Sequence, residues 1–267
     1  MSIRHALRVL GLQTRFFLLT PWRYPLDTLG FYVFTFMLFS GLIIGIVNFT
    51  PLERLNVTKG AILISYVFWL LYVMTAHSAA TSIATFASQG VLERELITPL
   101  GHLRAILLWL IARYIAYVPQ YLVIVTILIV VFQVPLSLTP LDLLGLLAVL
   151  ALSFLFFVGI SLIFGGLALV FKQVVSVIGL FQFVFFTLSL AATRLSGWLD
   201  PLFQWFPYTQ AIRLLLLIAT DKELPGASML YELSLLGLSS LLFFLIGIRV
   251  FRWMDRVAME RGLLGQY

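Results

Sequence analysis

The sequence predicts an all-α integral membrane protein. Six transmembrane helices are expected, with an N-terminal interfacial helix, a short cytoplasmic helix between spans two and three, and short re-entrant helices between spans five and six. Three observations carry this. Hydrophobic residues make up 62% of the 267 and charged residues 10%, where soluble domains run near half and a quarter. Mean hydropathy is +1.08. Six apolar runs reach the roughly 20 residues that a helix needs to cross a bilayer, and the short segments between them leave no room for a soluble domain of ordinary size. The whole chain therefore reads as one transmembrane domain.

Residues 1–26 read as an amphipathic helix lying along the interface. Arg4, Arg8 and Arg15 share a face, and Leu7, Leu10 and Phe17 lie among the remainder. The same basic residues also serve as an ordinary positive-inside N-terminus. Pro21 and Pro25 bracket Trp22, Arg23 and Tyr24, a turn at headgroup level. The first apolar run is span-length and lacks a small-residue cleavage pattern, so no signal peptide is expected.

Span one is placed at 28–47, where Gly41 and Gly45 form a G-x-x-x-G pair that permits close helix packing. Span two is placed at 61–86. Its second half is small and polar, with Thr75, His77, Ser78 and Thr81 as candidates to line a pathway; such a surface suits tight packing or a polar cavity better than lipid. His77 reads either as a packing histidine or as a pathway residue. His5 and His102 fall at the cytoplasmic side, so no metal site is expected.

Span three, 105–132, holds Arg113 two turns inside its first end. A charge at the bilayer centre costs about 2.5–3.5 kcal/mol on insertion scales, but near the cytoplasmic end the side chain can snorkel or face a neighbouring helix. Pro119 is expected to kink this span. Span four, 143–171, carries Gly159, Ser161, Gly165 and Gly166 midway, and span five, 174–193, is rich in Phe. Residues 194–226 hold Trp198, Trp205, Pro207, Tyr208 and Arg213, then an apolar run from Leu214 to Ala219 too short to span. They read as short re-entrant helices at the outer interface or as an interfacial aromatic belt. Span six is placed at 231–250, before a basic tail.

Basic residues fix the orientation. Arg4, Arg8, Arg15, Arg23, Arg94, Arg104, Arg113, Lys172, Arg249, Arg252, Arg256 and Arg261 fall on the side of both termini. Arg54, Lys59, Arg194, Arg213 and Lys222 fall on the other. The excess places both termini in the cytoplasm of a multi-pass protein of the inner (cytoplasmic) membrane. The net charge of +6 is that bias, and no nucleic-acid partner is expected.

The segment 88–104, Ser88 to Arg104, does not look like membrane. Ser88 can cap a helix, Glu93 and Glu95 lie early in it, Pro99 stops it, and Leu92, Leu96 and Leu100 form one apolar stripe. A solvated or lipid-lying connector and a docking helix for a soluble partner both fit.

Gly90-Val91-Leu92-Glu93 followed by Thr98-Pro99 resembles the G-T-L-E-x-L-x-x-T-P signature of ABC transporter permeases of the ABC type-2 exporter family. The Gly, Leu, Glu, Thr and Pro stand at family spacing. Val91 replaces the usual Thr, and Ala87, Ser88 and Gln89 stand where an acidic pair is usual. Pro207 and Arg213 resemble the family's N-P-x-T…R pattern, with Phe206 in place of Asn. The resemblance implies that 88–104 is a coupling helix, with Gly90, Leu92, Glu93, Glu95, Thr98 and Pro99 docking on an ABC-type ATPase. It implies a complex of two ATPase subunits with two permease copies, a homodimer or a heterodimer. It also implies a cargo path at the dimer seam lined by spans one, two and five.

The chain itself shows no catalytic constellation. It has no G-x-x-x-x-G-K-[ST] phosphate loop, no H-E-x-x-H and no G-x-S-x-G. It has no cysteines, which excludes disulfides, thiolate metal sites and cysteine nucleophiles. Its acids lie in loops or near helix ends, whereas proton-coupled carriers use intramembrane carboxylates. The chain is thus expected to be a transport subunit and not an enzyme, with ATP and Mg on a separate chain. The expected cargo is amphiphilic, lipid-like or drug-like. A polysaccharide or glycoconjugate cargo, and a non-transporting scaffold, are the alternatives.

Overall fold

A computed structural model describes residues 3–47, 55–88, 102–134, 139–171, 174–191, 205–220 and 226–261. The described residues are almost entirely helical and include no strand. The helices are α1 (Ile3–Arg23), α2 (Pro25–Val47), α3 (Leu55–Tyr72), α4 (Ser78–Ser88), α5 (His102–Phe132), α6 (Pro140–Val170), α7 (Val174–Ala191), α8 (Pro207–Thr220) and α9 (Gly226–Glu260). A single π-helical turn, Val73–His77, joins α3 to α4. Six stretches are long and apolar enough to cross a membrane: Pro25–Gly45, Lys59–Phe86, Leu103–Phe132, Pro140–Val170, Val174–Ala191 and Met229–Glu260. The second is α3, the π turn and α4 together.

The proline positions show what each end tolerates. α1 runs through Pro21, in its last turn, and breaks only at Tyr24; Pro25 then opens α2, where its missing N–H is no loss. Pro119 does not end α5, which is helical on both sides of it. α6 starts from a capping box: Thr139 N donates to Asp142 Oδ2 (2.8 Å) and Asp142 N donates to Thr139 Oγ1 (3.2 Å).

Burial alone does not hold helices together in lipid, which is as apolar as a leucine side chain; close backbone approach and interhelical hydrogen bonds carry more of the weight. Both are present. α6 and α9 form the most extensive helix pair. Gly145, Leu152, Gly159 and Gly166, seven residues apart, meet Met229, Gly237, Phe243 and Phe251 in the same order, so the two helices run parallel. A Cβ on Gly159 would sit 2.6 Å from the Phe243 carbonyl oxygen, and one on Gly247 would sit 2.8 Å from the Gly159 Cα. Elsewhere Tyr66 Oη donates to Thr35 O (2.7 Å), Trp69 Nε1 to Gln182 O (3.1 Å) and Tyr114 Oη to Leu150 O (3.3 Å). These tie α3 to α2 and α7, and α5 to α6.

Below α8 lies an aromatic cluster. The Tyr208 ring is fully buried, with ring centroids 4.7 Å from Phe185 and 5.1 Å from Phe68. Its hydroxyl shares a short hydrogen bond with Ser189 Oγ. Removing the ring empties a site that lipid cannot fill. Tyr208→Ala is expected to cost about 3–5 kcal/mol, whereas Tyr208→Phe loses only the hydrogen bond, about 1 kcal/mol. Thermal unfolding in detergent should rank them in that order, with the Ala variant several times further from wild type.

Span two is the most enclosed element, whereas spans one, three, five and six bury less than a quarter of their residues. On α2, Leu29, Phe34, Met37 and Ile44 are exposed, and Gly41 and Gly45 have open space where a side chain would be. α7 exposes Val175, Leu180 and Phe183.

Candidate functional site: a cleft beside the π turn

The π turn is the local irregularity around which the polar residues of span two are arranged. A π turn takes one more residue than an α turn, and such turns recur at functional sites. Hydroxyls bond back to carbonyls along it: Thr75 Oγ1 donates to Leu71 O (2.5 Å) and Ser78 Oγ to Met74 O (2.5 Å). The pattern continues into α4, where Thr81 Oγ1 donates to Ser78 O (3.0 Å) and Ser82 Oγ to Ser78 O (2.8 Å). These hydroxyls have therefore spent their protons on their own helix, and what they offer outward is acceptor capacity.

His77, Ser78 and Thr81 open onto a cleft of about 360 Å³ between α1, the start of α2, the π turn and α5. Phe17, Tyr24, Phe31 and Tyr117 frame it; Thr20, Thr28 and Gln120 add polar groups; Asp27 is its one carboxylate. The His77 ring lies near the backbone of Ile178 on α7, and its Nδ1 is buried with no hydrogen-bond partner among the described residues. A second, apolar groove of about 510 Å³ adjoins the cleft, sharing Pro21, Thr28 and Gln120. Leu18, Trp22, Leu29, Tyr32 and Val123 line it.

Thr75 faces the other way. It is buried at a void of about 10 Å³ shared with Arg113, Tyr114, Phe157 and Ser161, enough for one water. Arg113 is held by neighbours on three helices. Its Nη1 donates to Ser82 Oγ (2.9 Å) on α4 and its Nε to Tyr117 Oη (3.1 Å) on its own helix. The guanidinium lies over Trp109 (4.8 Å), Tyr117 (5.3 Å) and Phe17 of α1 (5.8 Å). A partly desolvated Arg gains most from such faces, and here it pins α1 against α4 and α5.

At the far end of the bundle α8 begins at the buried Pro207. Trp205 and Arg213 line a separate cavity of about 360 Å³ with Gln210, Tyr231 and Glu232. Tyr208 does not join them; its ring is the plug of the aromatic cluster. Gln210 is fixed by α9, donating to Glu232 O (3.4 Å) and accepting from Ser239 Oγ (3.3 Å).

Gly90, Leu92, Glu93, Glu95, Thr98, Pro99 and Trp198 lie outside the described residues. The sequence reading did not find Tyr24, Asp27, Tyr117 or Gln120 as site residues. The one signal available was Asp27 itself, an acid at the mouth of the first apolar run.

No curated protein and no solved structure matches the chain. A family model described as ABC-2 family transporter protein matches residues 47–249, from the end of α2 to near the end of α9. That is well over half of the chain and covers five of the six spanning helices. The chain therefore belongs to the ABC-2 transporter family, as a multi-pass membrane-transport subunit of the kind that works with ABC ATPases.

Proposed function

We propose that this permease subunit exports an amphiphilic, lipid-like or drug-like cargo from the cytoplasm or the inner leaflet. Two permease copies and two ATPase subunits make the working complex, in the inner membrane with both termini cytoplasmic. The observation that carries the cargo class is the paired cavity: a polar, aromatic-framed cleft at His77, Ser78 and Thr81 continuous with an apolar groove. An amphiphile can place its head in the first and its tail in the second without leaving the bilayer. The exposed faces of α2 and α7, with the open Gly41 and Gly45, suit contact with a second copy. ATP and Mg act on the partner chain, and residues 88–104 carry the docking. ATP-driven closure of the ATPases would rock the two permease halves between states of different access.

The test is purification of the complex with its co-purifying ATPase, followed by ATPase assays in lipid nanodiscs. Amphiphiles are expected to stimulate hydrolysis in a saturable way, and soluble oligosaccharides are not. Stimulation by oligosaccharide alone would overturn the cargo class. A chain that purifies alone would overturn the docking.

A further inference from the structure

We infer that the cleft beside the π turn takes the headgroup of a monocationic amphiphile, an organic ammonium on an apolar tail, with Asp27 as its counter-charge. This rests on the export reading for its role in transport, but the binding site stands on its own geometry.

The lining states the charge preference. Among the described residues Asp27 is the only Asp, Glu, Lys or Arg on the cleft, and no cation pairs with it. Arg23, one turn earlier, is turned over the Phe16 ring (5.8 Å). Arg113 is not part of the lining and borders the void that holds Thr75, but its guanidinium lies over the Phe17 and Tyr117 rings (5.8 and 5.3 Å). Of the four framing rings, Phe17 and Tyr117 are engaged by that guanidinium, and Tyr24 and Phe31 are the ones whose negative faces can attract an ammonium group. The polar groups agree. Ser78 and Thr81 have used their protons within the helix and present lone pairs. An anionic headgroup would meet the Asp27 carboxylate, with the Gln120 amide and the tyrosine hydroxyls as its donors; a cationic one would meet a counter-ion, rings and acceptors. The tail is provided for by the adjoining apolar groove along Leu18, Trp22, Leu29 and Val123.

Radiolabelled dodecyltrimethylammonium is the probe, bound to the complete complex in nanodiscs of an uncharged glycolipid, which brings no competing ammonium. Protein-free nanodiscs set the background. Saturable binding is expected, displaced by excess unlabelled cation and not by dodecylsulfonate, which has the same tail and the opposite charge. Asp27→Asn should weaken it about tenfold and Tyr24→Leu about threefold, while Asp27→Glu and Tyr24→Phe stay near wild type. Asp27 and Tyr24 are exposed, so neither change disturbs packing, and unchanged melting temperatures confirm that. Equal displacement by sulfonate, or full affinity in Asp27→Asn, overturns the site. The export reading fails separately: charge-selective binding without ATP-driven efflux of the probe leaves the site and removes its role as a cargo site.

Discussion

Gly247→Leu is expected to prevent the chain from accumulating in folded form, and Gly247→Ala is expected to lower its melting temperature measurably. The reason lies in the parallel seam between α6 and α9. Gly159 and Gly247 bring the two backbones into direct contact, so a new Cβ meets main-chain atoms of the opposite helix and not the end of a flexible side chain. Backbone cannot rotate away. The helices must separate, and separation breaks the dispersion contacts that hold helices together in lipid. Over-packing by one methyl commonly costs about 1–3 kcal/mol; a leucine at a backbone contact exceeds that range. Gly159→Leu should behave in the same way, because its Cβ would press on the Phe243 carbonyl. Gly11→Ala is the control. It lies on α1 with open space around it, and helix propensity alone favours the change by about 1 kcal/mol. Size-exclusion profiles and thermal melts should separate the three sites cleanly. A well-folded Gly247→Leu chain would mean that α6 and α9 do not meet at these glycines.

The seam also shows how much the sequence could say. The six spanning helices were legible because crossing a bilayer demands length and apolarity, and both are visible without any packing information. The shortness of the 214–219 run likewise marked α8 as something other than a span. Which faces pair was not legible. In water an apolar stripe marks the buried side of a helix, but in lipid both sides are apolar and the stripe disappears. The small residues of span four at Gly159, Gly165 and Gly166 read equally as flexibility or close packing, and the seven-residue series from Gly145 through Leu152 is evident only beside α9. Arg113 was readable as a charge that needed shelter. Its shelter, Phe17 and Trp109 with Ser82, comes from three separate helices. The cleft was hidden for the same reason: Phe17, Asp27, His77 and Tyr117 are far apart in the chain and converge only through the fold. Thr75 and His77 looked equivalent in a polar run, but they face opposite sides of span two.

Glu93→Arg is expected to release the ATPase while leaving the membrane domain folded. On the proposed docking, residues 88–104 reach the soluble partner from the point where α4 ends, at Ser88, and α5 resumes, at His102. Everything that holds the described bundle together lies elsewhere: the α6–α9 seam, the Tyr208 cluster and the hydrogen bonds of Tyr66, Trp69 and Tyr114. On that proposal a charge reversal at 93 leaves these contacts untouched, and the melting temperature of the isolated permease should not move. Its effect on docking should be large. Removing one partner of a desolvated interfacial charge pair costs about 2–5 kcal/mol, and reversal adds repulsion where attraction stood. A complex with two permease copies suffers this at both docking sites, so co-purified ATPase should fall by roughly thirtyfold or more. Glu93→Gln should lie between the two, since it keeps a hydrogen-bond acceptor and loses the charge. The pattern separates docking from folding: loss of ATPase with an unshifted melt supports the assignment, whereas wild-type co-purification of Glu93→Arg removes Glu93 from the interface.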